Sequence, residues 1–432
     1  MPIQDVKVSR QIIEGRITPK AQCYSENEQE PVFLRAQNIY EGFLDLSDAK
    51  RIKRDVFESE KKAILNDGDI VFTIDGVLLG IAAVYYNTYE VCCISNHMVR
   101  ILQGTETNPE FLSWFLNSPL GQKQIKRGIT GSAIPGIRTD AIERILVPLP
   151  PTKIQQSLVA EIEAARQNRK QKLAQAEELL SSINNVFLDK LELATLSKIK
   201  NRENTNKNVF SIYRKSICKR LDTFYYRPEF NLLQKELLKQ KDKLLSLRNL
   251  ALSFTNGDHG GVKYKDSGIR YLRGQNITKQ GLDLSDEKYI SIETHQKMIR
   301  SEVILGDVLL TIAGTIGNCC VVKDLDTANI NQAIVKIRPT EKVDSDYLAE
   351  FLNSDYGKFQ TTRLANGGVQ LNINFSEVGD IQVLVPDLDI QKSITQEIKN
   401  IRSQARTLKH QAELEWETAK TRFEQKLLGE ET

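Results

Sequence analysis

KIQQSLVAEIEAARQNRKQKLAQAEELLSSINNVFLDKLELATLSKIK, residues 153–200, is the stretch on which the fold turns. Leu173, Ala176, Leu180, Ile183, Phe187 and Leu191 follow one another at steps of three and four, the spacing of one helix face. Leu158, Ile162 and Ala165 make a similar stripe ahead of them, and the polar run from Arg166 to Lys172 interrupts the seam. Neither proline nor glycine occurs between Thr152 and Lys200. A helix of ~45 residues would be about 65 Å long. That exceeds an ordinary globular helix and suits a coiled coil or spacer.

A second stripe lies near the end of the chain. Ile394, Ile398, Ile401, Ala405, Leu408, Ala412, Trp416, Ala419, Phe423 and Leu427 keep the three-four spacing without a gap. Each helix could pack on its own globular domain. The coiled-coil-like seam favours instead two helices that partner each other. Leu173, Leu180, Ile183 and Phe187 would then face Ile398, Ile401, Leu408, Trp416 and Phe423.

The helices belong to a larger repeat. Phe33-Leu34-Arg35-Ala36-Gln37-Asn38-Ile39 returns as Tyr271-Leu272-Arg273-Gly274-Gln275-Asn276-Ile277. Gly68-Asp69-Ile70-Val71-Phe72-Thr73-Ile74 returns as Gly306-Asp307-Val308-Leu309-Leu310-Thr311-Ile312, at the same offset of 238. Phe115-Leu116-Asn117-Ser118 returns as Phe351-Leu352-Asn353-Ser354, at an offset of 236. Leu146-Val147-Pro148 and Ile154-Gln155 reappear as Leu384-Val385-Pro386 and Ile390-Gln391. A period this long marks a duplicated domain rather than a solenoid. The order is domain, helix, domain, helix.

Each globular half reads as mixed α and β. Ile70 to Ile74 and Val308 to Ile312 are short apolar runs after a Gly-Asp turn, as buried strands would be. Val99 and Ile101, and Val335 and Ile337, alternate with polar residues in the pattern of a half-buried strand. Between the first long helix and the second half, Lys198 to Arg220 carries eight basic residues and one acidic residue. It reads as a solvated linker, with a phosphate-contacting arm as the alternative.

Composition bounds the function. The chain has 432 residues, 40% hydrophobic and 27% charged, with a net charge of +3. These are values of a globular protein with room for two or three domains. No apolar run reaches membrane-spanning length, and MPIQDVKVSR lacks an apolar signal core. A cytoplasmic protein with reduced cysteines is the expectation. None of the six cysteines has zinc-ligand spacing, so no metal site is expected.

No catalytic constellation stands out. The [DNS]PP[YFW] loop of adenine methyltransferases is missing, and so is the phosphate-cradling GxxxxGK[ST]. Pro386-Asp387 with Glu397-Ile398-Lys399 matches the bare PD…ExK pattern of nucleases. That pattern needs Glu and Lys on one face of a strand, whereas Ile394, Ile398 and Ile401 put this segment on a helix.

Groups suited to reading DNA are better represented. Arg35, Gln37 and Asn38 cluster in one copy, and Arg273, Gln275 and Asn276 in the other. Arginine can bond guanine bidentately, and Asn or Gln adenine. The same trio in both copies also fits a shared structural part, since halves that read different sequences should differ where they read. The loops that do differ are stronger candidates. Thr130, Ser132 and Arg138 lie in one, and Gln370, Asn372 and Asn374 in its counterpart. A third polar, glycine-rich loop carries His259, Lys263 and Tyr264. Glycines there allow close backbone approach.

At this point the chain resembles the specificity (S) subunits of type I restriction-modification enzymes. The resemblance rests on Leu221-Asp222-x-x-Tyr225-Tyr226, on the Leu-Arg-x-Gln-Asn-Ile and Gly-Asp-[Ile/Val] elements in both halves, and on the Leu-Val-Pro…Ile-Gln entry to each helix. Single motifs are short; their order, repeated twice with helices, is specific. The resemblance implies an α+β fold: two target recognition domains, 1–151 and 221–386, joined by two long antiparallel coiled-coil helices, 152–200 and 387–429, with a basic linker at 201–220. It implies a bipartite double-stranded DNA target read one half-site per domain. It implies docking to two modification subunits, which bring S-adenosylmethionine, and to restriction subunits, which bring ATP-driven translocation with Mg. No cofactor and no catalysis would belong to this chain. The counterpart of residues 221–228 would fall before Met1, so the first half departs from the pattern of the second. A non-catalytic coiled-coil scaffold, or the recognition part of a fused methyltransferase-nuclease, are the alternatives.

Overall fold

The computed structural model describes residues 1–15, 18–59, 61–87, 90–131, 135–194, 211–212, 217, 220–257, 261–366 and 371–429. Eight of its helices carry the architecture: α1 (Pro109–Asn117), α2 (Pro119–Gly128), α3 (Thr152–Ser181), α4 (Ile183–Lys190), α5 (Pro228–Leu238), α6 (Ser345–Asn353), α7 (Asp355–Leu364) and α8 (Leu388–Leu428). The chain divides into two compact units. One joins Met1–Ala174 to Leu408–Thr432, and the other is Gln175–Thr407. Each long helix is divided between the units.

In the first unit an antiparallel sheet runs in the order Ser9–Glu14, Met98–Gln103, Ile70–Thr73, Ala82–Val84. Ile70, Phe72, Val84, Val99 and Ile101 share a core with Phe111, Leu112 and Phe115 of α1. Val71, Ala83 and Met98 point the other way, into the core of a second sheet. That sheet is ordered Tyr24–Ser25, Lys50–Ile52, Val32–Leu34, Cys92–Ile94, with the last two strands parallel. Burial on both faces explains why Ile70 to Thr73 reads as an unbroken apolar run.

The second unit repeats this plan. Ala251–Asn256, Ile334–Pro339, Val308–Thr311 and Cys319–Val321 form the antiparallel sheet. Ile269–Leu272 and Ala328–Ile330 form the parallel pair of the other. Burial pushes the thiols of Cys92, Cys93 and Cys320 up to about 12, so they serve as core residues.

The alternation around Val99 and Val335 does not mark half-buried strands. Arg100 and Lys336, the polar residues of the pattern, are both buried. Each finds partners inside: Arg100 pairs with Asp69 at 3.1 Å, and Lys336 Nζ donates to the carbonyls of Arg300 and Glu302 at 3.1 and 2.6 Å. A charge is tolerated in a core only when it is paired and hydrogen-bonded.

Within the described residues the central helix is interrupted, and residues 195–200 of the expected helix lie outside them. It breaks at Ser182 and ends near Leu191, with Glu192 at φ +52°. Ser181 and Ser182 donate their hydroxyls back to the carbonyls of Glu178 and Leu179, both at 2.7 Å. Such bonds offer the backbone an alternative to the helical ladder. Leu191 and Leu193 then turn into the core of the second unit, and Tyr356 Oη donates to the Ala194 carbonyl at 2.8 Å.

Within each unit the two long helices meet, as their spacing predicts, and the same stripes also pack on the sheet-bearing parts. Each helix starts on its own domain: Leu158 and Ile162 lie in the core of the first unit, Ile394 and Ile398 in that of the second. Each tail packs on the other domain. Phe187 meets Tyr347 and Phe351 of α6, both with centroids 6.1 Å apart. Phe423 meets Phe111 of α1 at 6.1 Å, and Trp416 stands edge-on to Trp114 at 5.6 Å. Ile183 and Ile401 are half-buried against the second core, while Leu173, Leu180 and Leu408 are half-buried. Ala176, Ala405 and Ala412 of the two stripes are buried, and ion pairs also join the helices. In the first unit Arg169 pairs with Glu413 at 2.9 Å, Lys172 with Glu415, and Glu161 with Lys426 at 2.8 Å, an antiparallel set. In the second, Lys190 pairs with Glu397 at 3.7 Å.

Candidate nucleic-acid interface

The Arg-x-Gln-Asn turns come first, because their hydrogen bonds decide their role. Asn38 is buried; its Oδ1 accepts from the Arg35 backbone N–H at 3.1 Å, and its Nδ2 donates to Asp48 Oδ1 at 2.8 Å. Gln37 Nε2 donates to the other Asp48 oxygen at 2.8 Å, and Arg35 Nη2 to the Asp48 carbonyl at 3.1 Å. The second copy repeats the clamp around Asp286. Arg273 Nη2 donates to its carboxylate at 2.8 Å and Gln275 Nε2 at 3.0 Å, while buried Asn276 receives the Arg273 N–H at 2.9 Å. The Arg273 guanidinium, joined by Lys288, holds the Asp286 carboxyl below the usual range. Asn38 and Asn276 thus shape a turn. The base contact expected for them has a physical obstacle, since their amides are enclosed and already bonded. Gln37 and Gln275 are exposed.

Each unit also carries a short hairpin. Ile129–Thr130 pairs with Gly136–Ile137, and Ala365–Asn366 with Asn372–Ile373. Both are tied to the loop after the central strand. Ile137 N–H donates to Ile74 O at 2.8 Å and Gly76 N–H to Pro135 O at 3.3 Å. In the second unit Ile373 donates to Ile312 at 2.8 Å and Gly314 to Leu371 at 3.3 Å. The turn before the long interior strand joins them: Ile74 N–H donates to His97 O at 3.0 Å, and Ile312 N–H to Ala333 O at 2.8 Å. In the second unit the Arg-x-Gln-Asn turn closes the group, since a Cβ on Gly274 would lie 3.5 Å from Ala333 Cβ and 3.6 Å from Ala313 O. Gly257 brings in the third loop; a Cβ there would meet the Ile330 and Asn331 carbonyl oxygens at 2.2 Å. In each unit, loops remote in sequence converge on one edge of the main sheet.

Of the residues expected from the sequence, those of the two hairpins lie at that edge. Thr130, Arg138, Asn372 and Asn374 are exposed on or beside the hairpins, Arg138 pairing loosely with Asp140 at 3.8 Å. Asn374 also caps a short helix by accepting from Ser376 N–H at 3.0 Å. Lys263 and Tyr264 are exposed, with Tyr264 6.1 Å from Tyr271. Ser132, His259, Gln370 and most of the basic linker lie outside the described residues. Sequence reasoning missed one pair at the centre of the first edge. The Asp75 carboxylate sits 2.8 and 2.9 Å from His97 Nδ1. Aligning the copies would have found it, because Ala313 and Ala333 occupy the matching places. Such an edge offers carboxylate, imidazole, amide and guanidinium groups at heights set by backbone bonds, which is what reading base edges requires.

The Leu221-Asp222-x-x-Tyr225-Tyr226 motif has a structural part. Asp222 caps its turn by accepting from Tyr225 N–H at 2.9 Å, and the Tyr225 ring lies near both the Arg220 and Arg363 guanidiniums, 4.9 and 4.2 Å away. Buried Gln155 and Gln391 explain the repeated Ile-Gln. Each accepts a helix-cap N–H, from Asn108 or Asp344, at 2.8 Å and donates to two carbonyls. Among the described residues, no cluster of His, Cys, Asp or Glu could hold a metal ion, and no helix is long and apolar enough to cross a membrane.

Comparison with known proteins agrees with this geometry. A family model, the type I restriction modification DNA specificity domain, matches residues 7–178 and 259–415. The chain is 22% identical over 355 residues to the type I restriction enzyme MjaVIII specificity subunit of Methanocaldococcus jannaschii, covering 79% of this chain and 74% of that one. It is 26% identical over 152 residues to the EcoBI specificity subunit of Escherichia coli; that match spans 35% of this chain and only 32% of the relative. A solved chain from work on complex assembly and conformational transition of the type I R-M system shares the fold. Its TM-score is 0.56 at 15% identity, over 98% of this chain and 96% of that chain.

Proposed function

Because the chain belongs to the type I restriction-modification DNA specificity family, we propose that it reads a bipartite double-stranded DNA target, one half-site per unit, and does no chemistry itself. One observation carries the reading. The two units hold the same turns, hairpins and sheet, yet differ at the edge where the loops converge. A duplicated scaffold with unlike tips suits a protein that reads two unlike sequences.

Exposed donors on the hairpins and the third loop would contact bases, Arg138 favouring guanine and the asparagines adenine. The exposed lysines and Gln37 and Gln275 would position the duplex through its phosphates. Two modification subunits would dock on this chain and supply S-adenosylmethionine, and restriction subunits would supply ATP-driven cleavage with Mg. The site of action is then the cytoplasm. Footprinting of the chain with its modification subunits should show two protected stretches separated by an unread spacer, with methylated adenines in the flanking half-sites. The chain alone should not methylate. A single continuous footprint, or methylation by the isolated chain, would refute the assignment.

A further inference from the structure

The loop that bears the first unit's reading edge is one residue longer than its twin. Two left-handed glycines bound each loop: Gly76 and Gly80 at φ +81° and +87°, Gly314 and Gly317 at +74° and +78°. Three residues stand between the first pair and two between the second. Both loops are pinned by the same threonine. Thr73 Oγ1 donates to Leu78 O and accepts from Ile81 N–H at 2.9 Å, and Gly80 N–H donates to Thr73 O at 2.9 Å. Thr311 Oγ1 donates to Thr315 O at 2.6 Å and accepts from Asn318 N–H at 3.0 Å, and Gly317 N–H returns to Thr311 O at 2.9 Å. Leu79 and Ile316 both turn toward their cores. Matching these bonds leaves Val77 as the added residue, and its relative exposure is 102%.

A lone exposed aliphatic residue needs no explanation on an ordinary surface. Val77 differs in being held at a fixed height, between bonded glycines, beside Asp75, His97 and the Thr130 hairpin. We infer that Val77 is a specificity-determining residue, whose methyl groups meet the 5-methyl group of a thymine in the major groove of the first half-site. The chemistry favours this over insertion between base pairs. Side chains that wedge into a base step are long or broad, whereas the thymine methyl is met by short apolar groups. Asp75 beside it is suited to accept from an exocyclic amine of the neighbouring base pair. The inference rests on the DNA-reading proposal and adds one residue and one base to it.

The test uses the full chain assembled with its modification subunits. Its target is first selected from random duplexes. Each thymine of the first half-site is then replaced by uracil, which lacks only the methyl group. At one position the exchange should weaken binding by about fourfold, the worth of one buried methyl group. Val77→Ser should lose about the same factor on the thymine duplex and nothing further on the uracil duplex. Val77→Thr, which keeps one methyl, should retain the preference. Losses from uracil and from Val77→Ser that simply multiply at every position would overturn the inference, as would binding that no uracil weakens. Failure to select any sequence would instead sink the DNA-reading proposal.

Discussion

The edges of the two units differ where their scaffolds agree. In the first, Asp75, Val77 and His97 stand around the base of the hairpin; in the second, the matching places hold Ala313 and Ala333, and Val77 has no partner. Beneath them the same devices recur: Asp48 and Asp286 clamping the Arg-x-Gln-Asn turns, Thr73 and Thr311 pinning the loops, Gln155 and Gln391 bonding the helix entries. The lesson is that repetition in this chain marks construction, and divergence marks reading. A residue present in both halves is best explained by what it bonds within the fold.

The strongest way to break the comparison is through the helix tails. Phe187→Ala and Phe423→Ala each remove a buried ring from a matching position, and each should cost about 3–5 kcal/mol. Phe187→Ala should lower hydrogen-exchange protection in the second unit and Phe423→Ala in the first. Loss in the unit that contributes the start of the same helix would contradict the crossed packing. Next comes exchange of the hairpin from Thr130 to Arg138 for its counterpart from Asn366 to Asn374. Binding-site selection should show a changed first half-site and an unchanged second, with about 1–3 kcal/mol lost for each base pair now misread. A change in both halves would end the modular reading.

A smaller effect is expected from Gln155→Ala or Gln391→Ala. Each leaves a helix-cap N–H without its partner and should cost about 1–3 kcal/mol in urea unfolding, equally in the two units. The smallest concerns a contact that, among the described residues, the second unit alone has. Burial pushes the Asp346 carboxyl up, but the ammonium groups of Lys323 and Lys399, at 2.7 and 2.6 Å, outweigh it and hold it below its ordinary 3.8. A carboxylate depressed in the fold adds stability above its unfolded value and loses it as pH falls through the folded one. Asp346→Asn should therefore cost roughly 0.5–1 kcal/mol near neutrality and nothing at low pH, since solvent screens the half-exposed lysines. A cost that persists below pH 2 would mean the contact is not ionic.

Much of this was legible in the sequence. The duplication, the two helices and the hairpin loops follow from offsets and periodicity, which are local signals. What escaped was long-range. Periodicity marks Phe187 and Phe423 as facing something apolar but cannot say that α6 and α1 are what they face. Nothing near Asn38 shows that Asp48 will enclose its amide, and nothing near Arg100 shows that Asp69 awaits it inside. The Asp75–His97 pair joins residues from separate loops, so only the mismatch between the copies could have exposed it.

The crossed tails also bear on how the chain is made. Residues 408–432, which complete the first unit, leave the ribosome about 230 residues after Ala174. The second unit, being continuous, has all its parts as soon as Thr407 emerges. During synthesis the older domain therefore waits without Phe423 and Trp416 against Phe111 and Trp114 of α1 while the younger one closes. Joining its ends across so long a loop also costs more chain entropy than closing a local contact. Order of birth and order of completion are reversed in this molecule, and the first domain keeps apolar surface open longest.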